Sequence, residues 1–155
     1  MRSICVISSL LMVFFSSCNR DNIYSHEETI PGDMWSYNDS LTYEFEVEDT
    51  ALLYSMQLDV THNDNFPYEN LYVQIRSVYP DKSVKNDVLS LEFADESGGW
   101  MGSRNGNNYI APIALQPVAK FRQSGKYRMT FFQNSRIDSI AGIHSLKLNV
   151  DKQKI

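Results

Sequence analysis

A chain of 155 residues is long enough for one domain with a real hydrophobic core, and 14 basic against 19 acidic residues give it a formal charge of −5. That acidity repels phosphate backbones, and no basic stripe with interleaved aromatics opposes it, so the composition argues against nucleic acid as a partner. Both cysteines, Cys5 and Cys18, fall at the start, which leaves the rest of the chain without a thiol for a disulfide, a metal or a nucleophile.

The chain opens on one basic residue, Arg2, then an apolar run from Ile4 to Phe15 broken only by Ser8 and Ser9, then Ser16, Ser17 and Cys18. The run is too short to span a hydrocarbon core of ~30 Å, and its small-residue exit suits a signal peptidase. Residues 1–17 are expected to be a signal peptide. Two small residues before a cysteine resemble a bacterial lipobox, with Phe15 where leucine is usual, and Cys18 is then the lipidated mature N-terminus. One acyl chain holds a protein only marginally at about 0.8 kcal/mol per buried methylene, whereas several on one cysteine make a stable anchor.

Residues 18–40 read as a tether, polar and without a sustained period, with Pro31 and Gly32 as breakers. At ~3.3 Å per residue it would lift the domain tens of ångströms off a membrane. Residues 41–155 read differently. Leu41, Tyr43, Phe45 and Val47 alternate with Thr42, Glu44, Glu46 and Glu48, and Tyr54, Met56, Leu58 and Val60 repeat the pattern. His62 to Pro67 is a predicted turn. Leu71, Val73 and Ile75 form the next strand, closed by Pro80 and Asp81, and Leu89, Leu91 and Phe93 another, closed by the turn Asp95 to Gly99. Trp100 to Ile113, rich in glycine and asparagine, reads as a loop with short extended pieces. Tyr127, Met129 and Phe131 follow a turn at Ser124 and Gly125, and Leu146, Leu148 and Val150 close the chain. Helix is confined to one short turn near Arg136 to Ala141. Seven or eight short strands with frequent turns predict an all-β fold, an antiparallel two-sheet β-sandwich, with Tyr43, Phe45, Leu58, Val73, Leu91, Phe131 and Leu148 buried.

Several blocks together resemble a known family. Asn63-Asp64-Asn65-Phe66-Pro67-Tyr68-Glu69-Asn70-Leu71-Tyr72, Tyr79-Pro80, Asp87-Val88-Leu89 and Phe93-Ala94-Asp95-Glu96-Ser97-Gly98-Gly99-Trp100-Met101-Gly102 stand in the order and spacing of the gliding-motility lipoproteins called GldH. Gly125-Lys126-Tyr127, Gln133, Arg136, Gly142-Ile143, Trp35 and the lipobox add to the resemblance. The chain departs from the family at Asn105-Gly106-Asn107-Asn108, Ile110-Ala111-Pro112-Ile113, Ser145 and Lys147. The resemblance implies an outer-membrane-associated lipoprotein tied to gliding motility and its envelope machinery, with no known catalytic residue.

The chemistry-bearing residues point the same way. His26, His62 and His144 lack ligand spacing and read as surface or capping residues, so no metal or other cofactor is expected. Glu44, Glu46 and Glu48 share one strand face at ~6.6 Å steps, a separation that glycoside hydrolysis uses, but alternation makes them a solvated face. The serines have no nucleophile elbow, and Asn63, Asp64 and Asn65 lack the glycine and glutamate of a calcium loop. Trp35, Trp100, Tyr68, Tyr72 and Tyr109 would suit either core packing or a glycan platform. The reading is a non-enzymatic, lipid-anchored envelope protein that binds a protein partner, with Asp64, Tyr68 and Trp100 as its candidate partner surface; the turn Asn63 to Asn70 and the loop Gly98 to Gly102 should lie near one another. An envelope carbohydrate-binding module is the alternative.

Overall fold

Alternation sorts side chains as it predicts. Leu41, Tyr43, Phe45 and Val47 are buried while Thr42, Glu44, Glu46 and Glu48 stand in solvent, and all seven predicted core residues are buried. The computed structural model describes residues 21–153. The expected signal peptide and Cys18 lie outside the described residues.

Eleven strands follow in chain order: β1 (Asn22–Thr29), β2 (Met34–Ser36), β3 (Ser40–Val47), β4 (Tyr54–Asn63), β5 (Asn70–Val78), β6 (Val84–Glu92), β7 (Ser103–Asn105), β8 (Asn108–Ala119), β9 (Gly125–Gln133), β10 (Ser139–Ala141) and β11 (Ile143–Lys152). One sheet runs β1-β11-β4-β8-β7 and the other β3-β9-β5-β6, with β10-β2 as a short ribbon. Every pairing is antiparallel. The result is the expected sandwich, its two inner faces forming one core.

Aromatic contacts join the sheets. Tyr24 of β1 meets Phe45 of β3 with ring centroids 5.7 Å apart, and Tyr43, edge to face with Phe131 of its own sheet at 5.5 Å, sends its hydroxyl across the core to donate to the Leu146 carbonyl of β11 at 2.7 Å. Burial pushes the Tyr43 phenol far above its ordinary range, so it stays a neutral donor. On the outer face of the second sheet Glu44 pairs with Arg128 and Glu46 lies opposite Lys126, so these glutamates form a solvated ladder.

Three expectations are corrected. Most of the expected tether, residues 18–40, belongs to the fold, because β1 pairs with β11 along its length and β2 pairs with β10. As an edge strand β1 places Tyr24, His26 and Glu28 on the phase of Val150, Leu148 and Leu146, with His26 exposed at the rim, so that phase carries one apolar residue and escapes a hydropathy pattern. Trp100 to Ile113 contains the β7-β8 hairpin, closed by Gly106 and Asn107 with Gly106 at φ 62. Its glycines and asparagines suggest a loop, whereas Pro112 and Pro117 of β8 lie beyond the residues that β7 covers, on an edge where proline is tolerated. Arg136 to Ala141 forms no helical turn: the buried Gln133 amide donates to the Ile137 carbonyl at 3.0 Å and accepts from Ser135, and Ile140 enters the core opposite Trp35. The helical turn among the described residues is instead a 3-10 turn at Pro31–Asp33.

The strand directions give the sandwich two distinct ends. One carries Asp21, the loop 48–53, the turn 79–83, the loop 120–124 and the end of β11. The other carries Pro31–Asp33, the turn 64–69, the segment 93–102 and the β7-β8 hairpin.

Candidate functional site

The end remote from Asp21 is built around a close approach of backbones. Gly142, at φ 87, donates its N–H to the Asp33 carbonyl at 2.7 Å and accepts from the Asn63 N–H at 2.9 Å, which presses the turn after β4 against it. Asp33 is itself in the left-handed region at φ 53. One of its carboxylate oxygens takes a hydrogen bond from His144 at 2.7 Å and the other from the Asn63 amide at 3.0 Å. Three separate stretches of chain are thereby tied at one corner.

His62 is the correction here. Placed in a surface turn by sequence, it is fully buried near the end of β4, and neither ring nitrogen has a hydrogen-bond partner. Its cage is aromatic: Trp100 at 4.7 Å, Phe93 at 5.3 Å, Tyr109 at 5.5 Å and Phe66 at 5.7 Å between centroids. Burial lowers its pKa, against smaller opposite effects of the Asn63 backbone and the Asp64 carboxylate. A proton is therefore bound more readily by the unfolded chain, so stability present above the ordinary histidine range is lost as pH falls through it. His62→Phe should flatten the thermal midpoint between about pH 7 and pH 5, where the wild type should decline from its own protonation. An unchanged slope in the variant would assign the acid sensitivity elsewhere.

The predicted surface residues divide between two neighbouring features. Tyr68 is 43% exposed and its ring lies 5.7 Å from Phe66, which in turn lies 6.4 Å from the half-buried Trp100. The turn Asn63 to Asn70 and the loop Gly98 to Gly102 lie near one another, bridged by Phe93, whose N–H donates to the Glu69 carbonyl at 2.8 Å and whose carbonyl accepts from the Met101 N–H at 2.7 Å. Asp64 points elsewhere. It lines a groove of about 660 Å³ with Asp33, Asn63, Asn65, Asn107 and Asn108, a polar pocket that unites the first turn with the hairpin. The five aromatics proposed as one platform separate as well: Trp35 is fully buried, Trp100 and Tyr109 flank His62, and Tyr68 and Tyr72 are exposed. Tyr109 also carries Arg104 over its ring at 5.4 Å.

The remaining polar groups form local pairs. His26 bonds Glu28 at 3.0 Å and His144 bonds Asp33, and among the described residues no three histidine, cysteine, aspartate or glutamate side chains gather as a metal set. Asp95 accepts from the Ser97 hydroxyl at 2.6 Å and from the Gly99 and Ser97 N–H groups at 3.0 and 2.8 Å, which holds its carboxyl below the usual range and fixes the turn before Trp100. A second concavity, which nothing in the hydropathy pattern announces, lies along the open side of the sandwich between β6 and β8 and measures about 890 Å³.

Comparison with known proteins shows the family. The family model described as GldH lipoprotein matches residues 22–150, the whole span from β1 to β11. A gliding motility lipoprotein GldH homolog of Christiangramia forsetii is 24% identical over 91% of this chain and 90% of its own length. The gliding motility lipoprotein GldH of Flavobacterium johnsoniae is likewise 24% identical, over 89% of this chain and 86% of its own. Among solved structures, the VP2 subviral particle of infectious bursal disease virus superposes with a TM-score of 0.38 at 14% identity, covering 83% of this chain and 32% of that one. With a family match extending through both sheets and the corner at Gly142, the chain belongs to the GldH lipoprotein family.

Proposed function

We propose that this protein is a non-enzymatic component of a gliding-motility or related envelope assembly, held at the outer membrane by an acylated Cys18 and binding an envelope protein through its membrane-distal end. The observation that carries this reading is the position of β1. Its first residue, Asn22, follows Cys18 after only three residues and sits at the end opposite the turn 64–69 and the loop around Trp100. At ~3.3 Å per residue the link from Cys18 to Asp21 reaches no more than about 10 Å. The anchor then holds the domain close to the bilayer in one polarity, with Asp64, Tyr68 and Trp100 facing away. Restriction to a membrane plane raises the effective concentration for a partner there, so a modest loop interface suffices.

The test replaces Asp64, Tyr68 and Trp100 with alanine, singly, in the lipidated protein. Asp64→Ala and Tyr68→Ala change exposed side chains and should leave the thermal midpoint within about 0.5 kcal/mol of wild type, while reducing recovery of cross-linked envelope proteins. Trp100→Ala should also lower stability, because its ring covers His62. Unchanged recovery in the Asp64 and Tyr68 variants would remove the distal end from partner binding, and their loss of binding to envelope polysaccharide instead would favour a carbohydrate module.

A further inference from the structure

The two sheets close on one side only. β1 packs over β3, whereas on the opposite side β6 and the second half of β8 stand apart and leave the cleft of about 890 Å³. Met56 and Ile75 form its floor, and Leu89, Leu115, Phe121 and Met129 line it while remaining only partly buried. A volume between about 300 and 1,000 Å³ is that of a small-molecule site, and here it exposes apolar surface that the rest of the core hides.

The cleft extends to the end of the sandwich from which Asp21 leads toward Cys18. There it is lined by Ala119 to Gln123 and by Asp81 and Ser83. Both carboxylates at this mouth are engaged: Asp81 accepts from Ser83 at 2.6 Å and Gln123 at 3.1 Å, and Asp87 pairs with Lys85 at 3.0 Å. Lys120 and Arg122 are exposed, and no hydrogen bond or ion pair among the described residues involves either. A cleft with apolar side chains at its floor and polar ones at its rim thus opens beside two unpaired cations, on the face nearest the expected membrane.

We propose that this cleft takes an acyl chain of an anionic phospholipid from the supporting bilayer, with the lipid phosphate on Lys120 and Arg122. The inference rests on the reading that Cys18 is acylated, since a link of about 10 Å brings the mouth to headgroup depth. Charge selects the occupant. A lipid thioether-linked to Cys18 carries no phosphate for the two cations, whereas bilayer anions attract juxtamembrane Lys and Arg. An added β-strand is the weaker fit, because Lys85 and Asp87 lie on the core-facing phase of β6, opposite Ser77 and Ile75, where charges obstruct edge pairing.

The experiment places the lipidated full-length protein in nanodiscs of phosphatidylcholine, containing either phosphatidylglycerol or phosphatidylcholine with a photoactivatable group at the acyl terminus. Adducts are mapped by mass spectrometry. Expected are adducts on the segments bearing Leu115, Phe121 and Met129 from the phosphatidylglycerol probe, about tenfold fewer from the phosphatidylcholine probe, and about tenfold fewer from either probe in K120E/R122E. That variant should keep the wild-type thermal midpoint, because both side chains are in solvent. Leu115→Trp, which fills the slot, should abolish the adducts while the protein stays in the disc. A second arm presents the same probes in mixed micelles, where labelling needs no anchor. Adducts in micelles without retention in discs would remove the anchor and keep the cleft. Absence of cleft adducts in both arms, equal labelling by both probes, or labelling indifferent to K120E/R122E would overturn the proposal, as would a bound peptide recovered from the cleft.

Discussion

Gly142→Ala is expected to lower the stability of this domain by about 2 to 5 kcal/mol, a large part of the roughly 5 to 15 kcal/mol that holds a domain together. Two effects combine. A φ of 87 lies where an L side chain is strained by about 1 to 2 kcal/mol, and an added Cβ would stand 2.2 Å from the Phe66 nitrogen and 2.7 Å from the Asn65 carbonyl carbon. Both neighbours are backbone, so relief requires moving the turn after β4, which also carries the Asn63 bonds to Gly142 and Asp33 and covers His62. Gly106→Ala is the control. Its φ of 62 imposes similar strain, but nothing lies within 4 Å of the new Cβ, so the loss should stay near 1 kcal/mol. Thermal denaturation followed by circular dichroism compares the two, and equal shifts would show that the close approach at Gly142 carries no energy of its own.

Cys18→Ala is expected to move the protein almost entirely from the membrane to the soluble fraction while leaving its thermal midpoint unchanged. Among the described residues the first strand begins at Asn22 and the buried apolar core is supplied by Ile30 and the residues after it, so the cysteine's expected role is confined to accepting lipid. Fractionation with and without alkaline extraction measures this. Retention of the variant on the membrane would mean that the domain, rather than the acylated residue, carries the attachment.

The His62 prediction and the cleft test address groups that the sequence left without a role, and they differ in how visible those groups were beforehand. His62 could have been found: it continues the inward phase of Tyr54, Met56, Leu58 and Val60 by one more step, and only the polar run after it suggested a turn. Asp33, by contrast, gains its importance from Asn63 and His144, which are 30 and 111 residues away in sequence. The cleft is likewise invisible along the chain, because Leu89 and Leu115 alternate like core residues although their sheets never close over them.

What the sequence determined by itself was every element whose partner-facing side is apolar. The alternation in β3, β4, β5 and β11 specified strands, their buried phase and the all-β class, because a one-residue slip would turn each apolar set into water. The order of the blocks between Asn63 and Gly102 was enough for the family. Tertiary structure decided the rest. β1 became a strand because β11 offers it an unpaired edge, and β8 tolerates two prolines because its outer side has no neighbour there. The near juxtaposition of the 63–70 turn and the 98–102 loop, the separation of Asp64 from Tyr68, and the opening between β6 and β8 depend on sheet order and on backbone contacts between distant residues. Such contacts leave no period in the chain, since a strand edge, unlike a strand face, is defined by what lies beside it.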